Sequence, residues 1–402
     1  MTRSPPVHGT DRRRLLATMA AAGLAPWSRL SLAGVGHGQP ERLVFVMLRG
    51  GMDGLMAAPV PGDPAFAPAR GPLALPAPDA PLPLQGPYAL HPLLTGLHGL
   101  YQQGEAAVVH AVGLPYRERS HFDAQQVLES GGTRPHELDS GWLGRALQAT
   151  GRRAVALSTA VPLALRGARE VDTWAPSALP EPAADLVSRL QVLYAGDPQL
   201  GAALARARSL RDDPAMREGS MAGPNNGRQA ALALARKAAD FLRTEGGASV
   251  AMLELGGWDS HTNQAAPQGA VANNLRTLDA LLAALREGLT QGGSDAWSRT
   301  VVLVATEFGR EVAVNGNGGT DHGSGGVAFV LGGAVKGGRV LADWPGLAPK
   351  DRFEGRDLRI TTDLRSVLRP LLAQHLRVPQ QALNRDVLPG SAALPSLDLL
   401  RG

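Results

Sequence analysis

The stretch Leu43-Val44-Phe45-Val46-Met47-Leu48-Arg49-Gly50-Gly51-Met52-Asp53-Gly54 decides the fold. Six apolar residues in succession end abruptly in a cation, two glycines and an aspartate. Unbroken apolar character, in place of alternation, marks a strand whose sheet is covered by helices on both faces. Residues 106–112, 249–255 and 300–306 have the same form, and residues 327–331 make a fifth strand. Between them the spacing turns helical. Leu275, Leu278, Leu281, Leu282 and Leu285 share one face of a helix over residues 275–289. An Ala-rich helix covers residues 229–242, and a third covers 364–375, where Thr361-Thr362-Asp363 offers the N-cap. Strands alternating with helices predict an α/β fold with a mostly parallel central sheet flanked by helices on both faces.

Two spans fall outside this rhythm. Residues 59–87 are Pro-rich and read as a long surface loop. Residues 130–228 carry weak strand signals and polar breaks, and read as a partly helical insertion or cap between the second and third core strands.

The chemistry sits where the strands end. After the first come Arg49 to Gly54, with Asp53 between glycine-rich neighbours. The second leads to Arg119-Ser120-His121-Phe122-Asp123 at the start of a helix. Gly256-Gly257-Trp258-Asp259-Ser260-His261 follows the third. The fourth is followed by Glu307-Phe308-Gly309-Arg310 and then Gly318-Gly319-Thr320-Asp321-His322-Gly323. Ligands of open α/β sheets bind outside the carboxyl ends of the strands. Four strand ends therefore bring carboxylates, imidazoles and a serine to one edge. Mixed Asp and His suit Zn²⁺, and a carboxylate-rich set also suits Mn²⁺, Mg²⁺ or Ca²⁺. Each residue alone has a plainer role: Asp53 as a turn residue, Ser120 as a helix N-cap, Glu307 as a partner of Arg310.

Residues 49–54, 119–122, 256–261, 307–310 and 319–323 resemble, in order, the motif series of the domain of unknown function 1501 family. That family is exported, commonly by the twin-arginine route, and is grouped with the alkaline-phosphatase-like superfamily; its biochemical activity is not established. The resemblance spans residues 40–390 and implies an alkaline-phosphatase-like α/β domain. It implies metal ligands at Asp53, at Asp259 with His261, and at Asp321 with His322, and a nucleophile at Ser120. Arg119 or Arg310 would stabilise anionic oxygens. Two departures stand out. After His322 the only histidine is His375, in an amphipathic helix, and Asp259 and His261 are closer in sequence than the superfamily's pair. One metal site would then be incomplete or use Glu307. A formylglycine-type sulfatase is disfavoured, because Phe122 and Ala124 stand where that modification needs Pro and Arg.

The N-terminus reads Asp11-Arg12-Arg13-Arg14-Leu15-Leu16, then a small and apolar run over residues 17–27 and Ser31-Leu32-Ala33. This order predicts a twin-arginine signal over residues 1–33, read by the twin-arginine translocase, and a periplasmic or secreted mature protein. The whole chain has 40 basic and 36 acidic residues; without the five arginines and one aspartate of residues 1–33 it has 35 of each. A neutral mature protein with scattered arginines argues against a nucleic-acid partner. The chain has no cysteine, which excludes disulfides, zinc–thiolate sites and a thiol nucleophile. No apolar run after residue 33 approaches the roughly 18 residues of a membrane span. These readings predict an exported metal-dependent hydrolase of small anionic phosphate or sulfate esters. The alternative is an exported metal-binding or scaffold protein of the same fold without turnover.

Overall fold

The structure, a computed structural model, describes residues 40–75, 80–176, 184–212 and 227–402; the signal-like stretch 1–33 lies outside the described residues. A nine-stranded sheet organises the chain. Its strands are β1 (Arg42–Leu48), β2 (Ala106–Gly113), β3 (Ala154–Ala156), β4 (Val171–Thr173), β5 (Val250–Leu255), β6 (Thr300–Thr306), β7 (Gly326–Leu331), β8 (Arg339–Leu341) and β9 (Thr362–Asp363). They lie in the order β8-β2-β7-β6-β1-β5-β3-β4, with β9 beside β2. Only β7 runs antiparallel to its neighbours; the other pairings are parallel. The α/β reading with a mostly parallel sheet is therefore what the chain adopts. Residues 307–325 contain no helix to carry a crossover, so β7 returns antiparallel to β6.

Alternate residues of β1 face opposite layers. Val44, Val46 and Leu48 pack with α1 (Thr95–Gln102), α4 (Gly227–Arg243) and α5 (Ala270–Thr290). Leu43, Phe45 and Met47 pack with α2 (His121–Ser130), α3 (Trp142–Thr150) and α6 (Leu364–Pro370). The predicted leucine stripe of α5 is fully buried, and truncating one such leucine to alanine costs about 2–5 kcal/mol. The Ala-rich character of α4 follows from its closeness to α5: a methyl added at Gly288 would meet Ala239 Cβ at 2.5 Å. Asp363 caps α6, its carboxylate accepting from the Arg365 N–H at 2.8 Å.

The two irregular spans do more than their composition suggests. Within 130–228, β3 and β4 extend the sheet beside β5, and helices span Ala184–Tyr194 and Pro198–Asp212. The Pro-rich span is not all surface. It buries Phe66 and Leu73 and carries Arg70 into the interior with no exposure.

His110 on β2 is a further buried polar residue. Its Nε2 donates to the Ala58 carbonyl at 2.8 Å, and its Nδ1 accepts from the Ala111 N–H at 2.9 Å. Both nitrogens are satisfied only in the neutral ring, and burial pushes its pKa down to about 4. The unfolded chain, with an ordinary histidine near pKa 6.5, binds more protons between these values, so this contribution is complete above pH 6.5 and lost as pH falls toward 4. Between pH 7 and 4.5 the wild type should lose about 2–3 kcal/mol more stability than His110→Gln in urea titrations. Parallel losses in the two proteins would contradict this assignment.

Candidate metal centre

The parallel strands β1, β5 and β6 end at one edge, and the loop entering antiparallel β7 returns to it. The turn after β1 is tight. Gly50 has φ +119, and a Cβ there would sit 2.4 Å from the Asp259 backbone nitrogen, so only glycine lets this turn lie against the loop after β5.

Three imidazoles and one carboxylate meet at this edge. His121 Nε2 lies 3.0 Å from His322 Nε2, and His261 Nε2 lies 3.2 Å from the same atom. Asp259 Oδ1 is 2.9 Å from His261 Nε2 and 3.1 Å from His322 Nε2, while its Oδ2 is 3.4 Å from His121 Nε2. His121, Asp259 and His322 form a group with spacing that could hold a metal ion, and His261 stands against two of its members.

The other nitrogen of each ring fixes which proton is where. His121 Nδ1 faces Glu307 Oε1 at 2.8 Å, His261 Nδ1 faces Asp321 Oδ1 at 3.0 Å, and His322 Nδ1 faces the Arg119 carbonyl at 3.2 Å. Carboxylates and carbonyls only accept, so each Nδ1 carries the proton and each Nε2 presents a lone pair. Three imidazole nitrogens and a carboxylate thus converge, with the Arg310 guanidinium behind them, 2.7 Å from Asp259 Oδ1 and 3.4 Å from His261 Nε2. A cation satisfies this donor set, and the orienting groups behind the imidazoles are those that metal-bound histidines use.

Electrostatics agree with this arrangement. Burial opposes ionisation of Asp259, but the hydrogen bond and positive charge of Arg310 hold its carboxyl well below the usual range. Burial likewise opposes ionisation of Glu307, and bonds from His121, Gln125 and the Gly50 N–H outweigh it. The bond from His261 lowers Asp321. The bond to Glu307 raises His121, whereas burial lowers His322. Phe308 packs on the His121 and His322 rings, with centroids 4.7 and 5.1 Å away.

Other members of the predicted site have different surroundings. Glu307 is not paired with Arg310: Oε1 accepts from His121, Gly50 and Gln125, and Oε2 from Thr306. Arg310 is fully buried and donates to the carbonyls of Gly50, Gly51, Trp258 and Thr320 and to Asp259 Oδ1 at 2.7 Å. It ties together the loops after β1, β5 and β6. Arg119 has φ +59, a strained conformation costing on the order of 1–3 kcal/mol for a residue with a side chain. Its guanidinium is engaged by Asp357 at 2.8 Å and Glu354 at 2.7 Å. Asp53 pairs with Arg70, 2.6 Å from its Oδ2. Ser120 occupies the N-cap position of α2 but makes no side-chain cap bond; its hydroxyl partners Tyr116, whose own hydroxyl donates to Asp123 at 3.1 Å. His375 is buried against the Arg42 carbonyl at 2.8 Å, far from ligand duty in role.

Sequence reasoning missed His121 as a member of the cluster. Its signal was its place beside Ser120 in the first turn of α2. Arg49 was also passed over; it bonds Glu254, Glu129 and Gln125, and Gln125 in turn bonds Glu307.

A mostly parallel α/β sheet with a His–Asp cluster at its carboxyl edge defines the class of this protein. Residues 100–386 match the family described as "Protein of unknown function (DUF1501)", and the chain belongs to that family. No curated protein matches it in sequence. Similar solved structures include BT1596, a 2-O GAG sulfatase, at 13% identity and TM-score 0.45 over 89% of this chain and 73% of that one. They also include PsFucS1 sulfatase from Pseudoalteromonas sp., at 13% identity and TM-score 0.44 over 89% and 71%. A third is the phosphonate monoester hydrolase SpPMH from Silicibacter pomeroyi, at 12% identity and TM-score 0.41 over 89% and 76%. These are likenesses of chain trace; the roles of residues rest on the geometry above.

Proposed function

We propose that this chain binds a divalent metal ion at His121, Asp259 and His322, with His261 beside them, and hydrolyses small phosphate or sulfate esters. The observation that carries the reading is the convergence of three Nε2 atoms and one carboxylate, each imidazole oriented from behind. Imidazole-rich ligation favours Zn²⁺ over Mg²⁺ or Ca²⁺, which prefer all-oxygen sets. When bound, such an ion polarises the ester and offsets its negative charge. Ser120, one residue before His121 and free of capping duty, supplies the nucleophile. Its Oγ attacks phosphorus or sulfur as its proton is given up. The bond to the alcohol oxygen breaks and that oxygen takes up a proton to leave as the alcohol; water later cleaves the serine ester to restore the hydroxyl. The zinc-loaded protein should turn over aryl phosphates, sulfates or phosphonates and stop on chelation.

One observation favours the second reading, an exported metal-binding or scaffold protein. All three arginines of the motif series, Arg49, Arg119 and Arg310, are engaged by the protein's own carboxylates. A metal-loaded protein inactive across that ester panel would decide for it.

Export is part of the proposal and rests on the order of arginines, apolar run and Ser31-Leu32-Ala33. Among the described residues no helix is long and apolar enough to cross a membrane. Replacing Arg12 and Arg13 by Lys should hold the precursor in the cytoplasm. An unchanged periplasmic yield on fractionation would contradict the twin-arginine route.

A further inference from the structure

Asp53 follows β1 at the position where the superfamily resemblance implies a metal ligand, yet both its oxygens are engaged. Oδ1 accepts from the Met56 N–H at 3.0 Å and caps the short helix Gly54–Ala57. Oδ2 accepts from the Arg70 guanidinium at 2.6 Å, with the Thr320 hydroxyl 3.5 Å away. The Asp53 and Arg70 side chains are 2% and 0% exposed. Arg70 is further held by the carbonyls of Glu311 and Val312, 3.4 and 3.3 Å from its second terminal nitrogen. A dication at Asp53 would be forced against this buried guanidinium with no water to screen the two charges, which is strongly unfavourable, whereas Asp259, also bonded to an arginine, is 46% exposed. The other spare carboxylates are engaged too: Asp321 orients His261, and Glu307 orients His121.

We infer that the centre takes one divalent ion per chain, and that Arg70, arriving from the Pro-rich span, is a built-in cation that neutralises Asp53 in place of a second ion. This rests on the metal-binding reading above and adds the count. It makes Asp53 a structural residue, indifferent to metal, and leaves His121, Asp259 and His322 as the sole centre among the described residues.

The test is metal content of the full chain, equilibrated with zinc chloride, freed of excess by gel filtration and measured by inductively coupled plasma mass spectrometry. The wild type should hold one zinc per chain and Asp259→Asn none. Since Asp53→Asn alone strands Arg70 and can fail to fold, the paired variant Asp53→Asn with Arg70→Met accompanies it. That pair should keep one zinc, and its shift in melting temperature should be the same in zinc and in chelator. Two zinc ions in the wild type, one of them lost in the paired variant, would overturn the single-ion inference while leaving the metal reading intact. No zinc in the wild type would overturn the metal reading and this inference with it.

Discussion

Asp259→Asn should abolish metal binding while the protein stays folded. Asp259 is the one carboxylate that touches all three imidazoles, and it is the only formal negative charge among the cluster's ligand atoms. Its loss leaves three neutral nitrogens facing one another and Arg310 still bonded to four carbonyls. Zinc at about a thousand times its dissociation constant stabilises a native protein by about 4 kcal/mol. The wild type should therefore melt higher in zinc than in chelator, and Asp259→Asn should melt at the same temperature in both. Asp321→Asn offers the graded comparison, since Asp321 acts through His261 and loss of such an orienting group weakens affinity roughly 10–100-fold. Equal zinc-induced shifts in wild type and Asp259→Asn would refute the cluster as a metal centre.

The second large effect falls on Ser120. The residue stands at the N-cap of α2, and a capping serine replaced by alanine costs about 1 kcal/mol. Here the hydroxyl makes no cap bond, so Ser120→Ala should cost less than that in urea titration. Under the nucleophile assignment the same variant should lose all turnover of the ester it hydrolyses, with zinc content unchanged. Ser120→Asp should fold equally well and be equally inactive. Full activity in either variant would remove Ser120 from the chemistry.

The framework was legible because long buried strands write themselves as unbroken apolar runs. The runs at 43–48, 106–112, 249–255, 300–306 and 327–331 became β1, β2, β5, β6 and β7 with ends displaced by at most one residue. Short edge strands carry no such signal, so β3 and β4 were absorbed into the span 130–228. The site was legible down to its loops, since the sheet brings strand ends together, but not down to atoms. What Asp53 pairs with depends on Arg70, seventeen positions on in a stretch read as surface loop. Whether Glu307 binds metal or orients a ligand depends on His121 in a helix nearly two hundred residues earlier. Arg119 and Arg310 look alike in sequence as anion binders, yet the carboxylates of Asp357 and Glu354 engage Arg119, and burial among carbonyls engages Arg310.

Anomalous scattering at the zinc edge from a crystal of the zinc-loaded protein tests the centre most directly. The account predicts a single peak bounded by His121 Nε2, His322 Nε2 and Asp259, with the Asp53–Arg70 pair undisturbed. A peak on Asp53, or none at the His–Asp cluster, would contradict it.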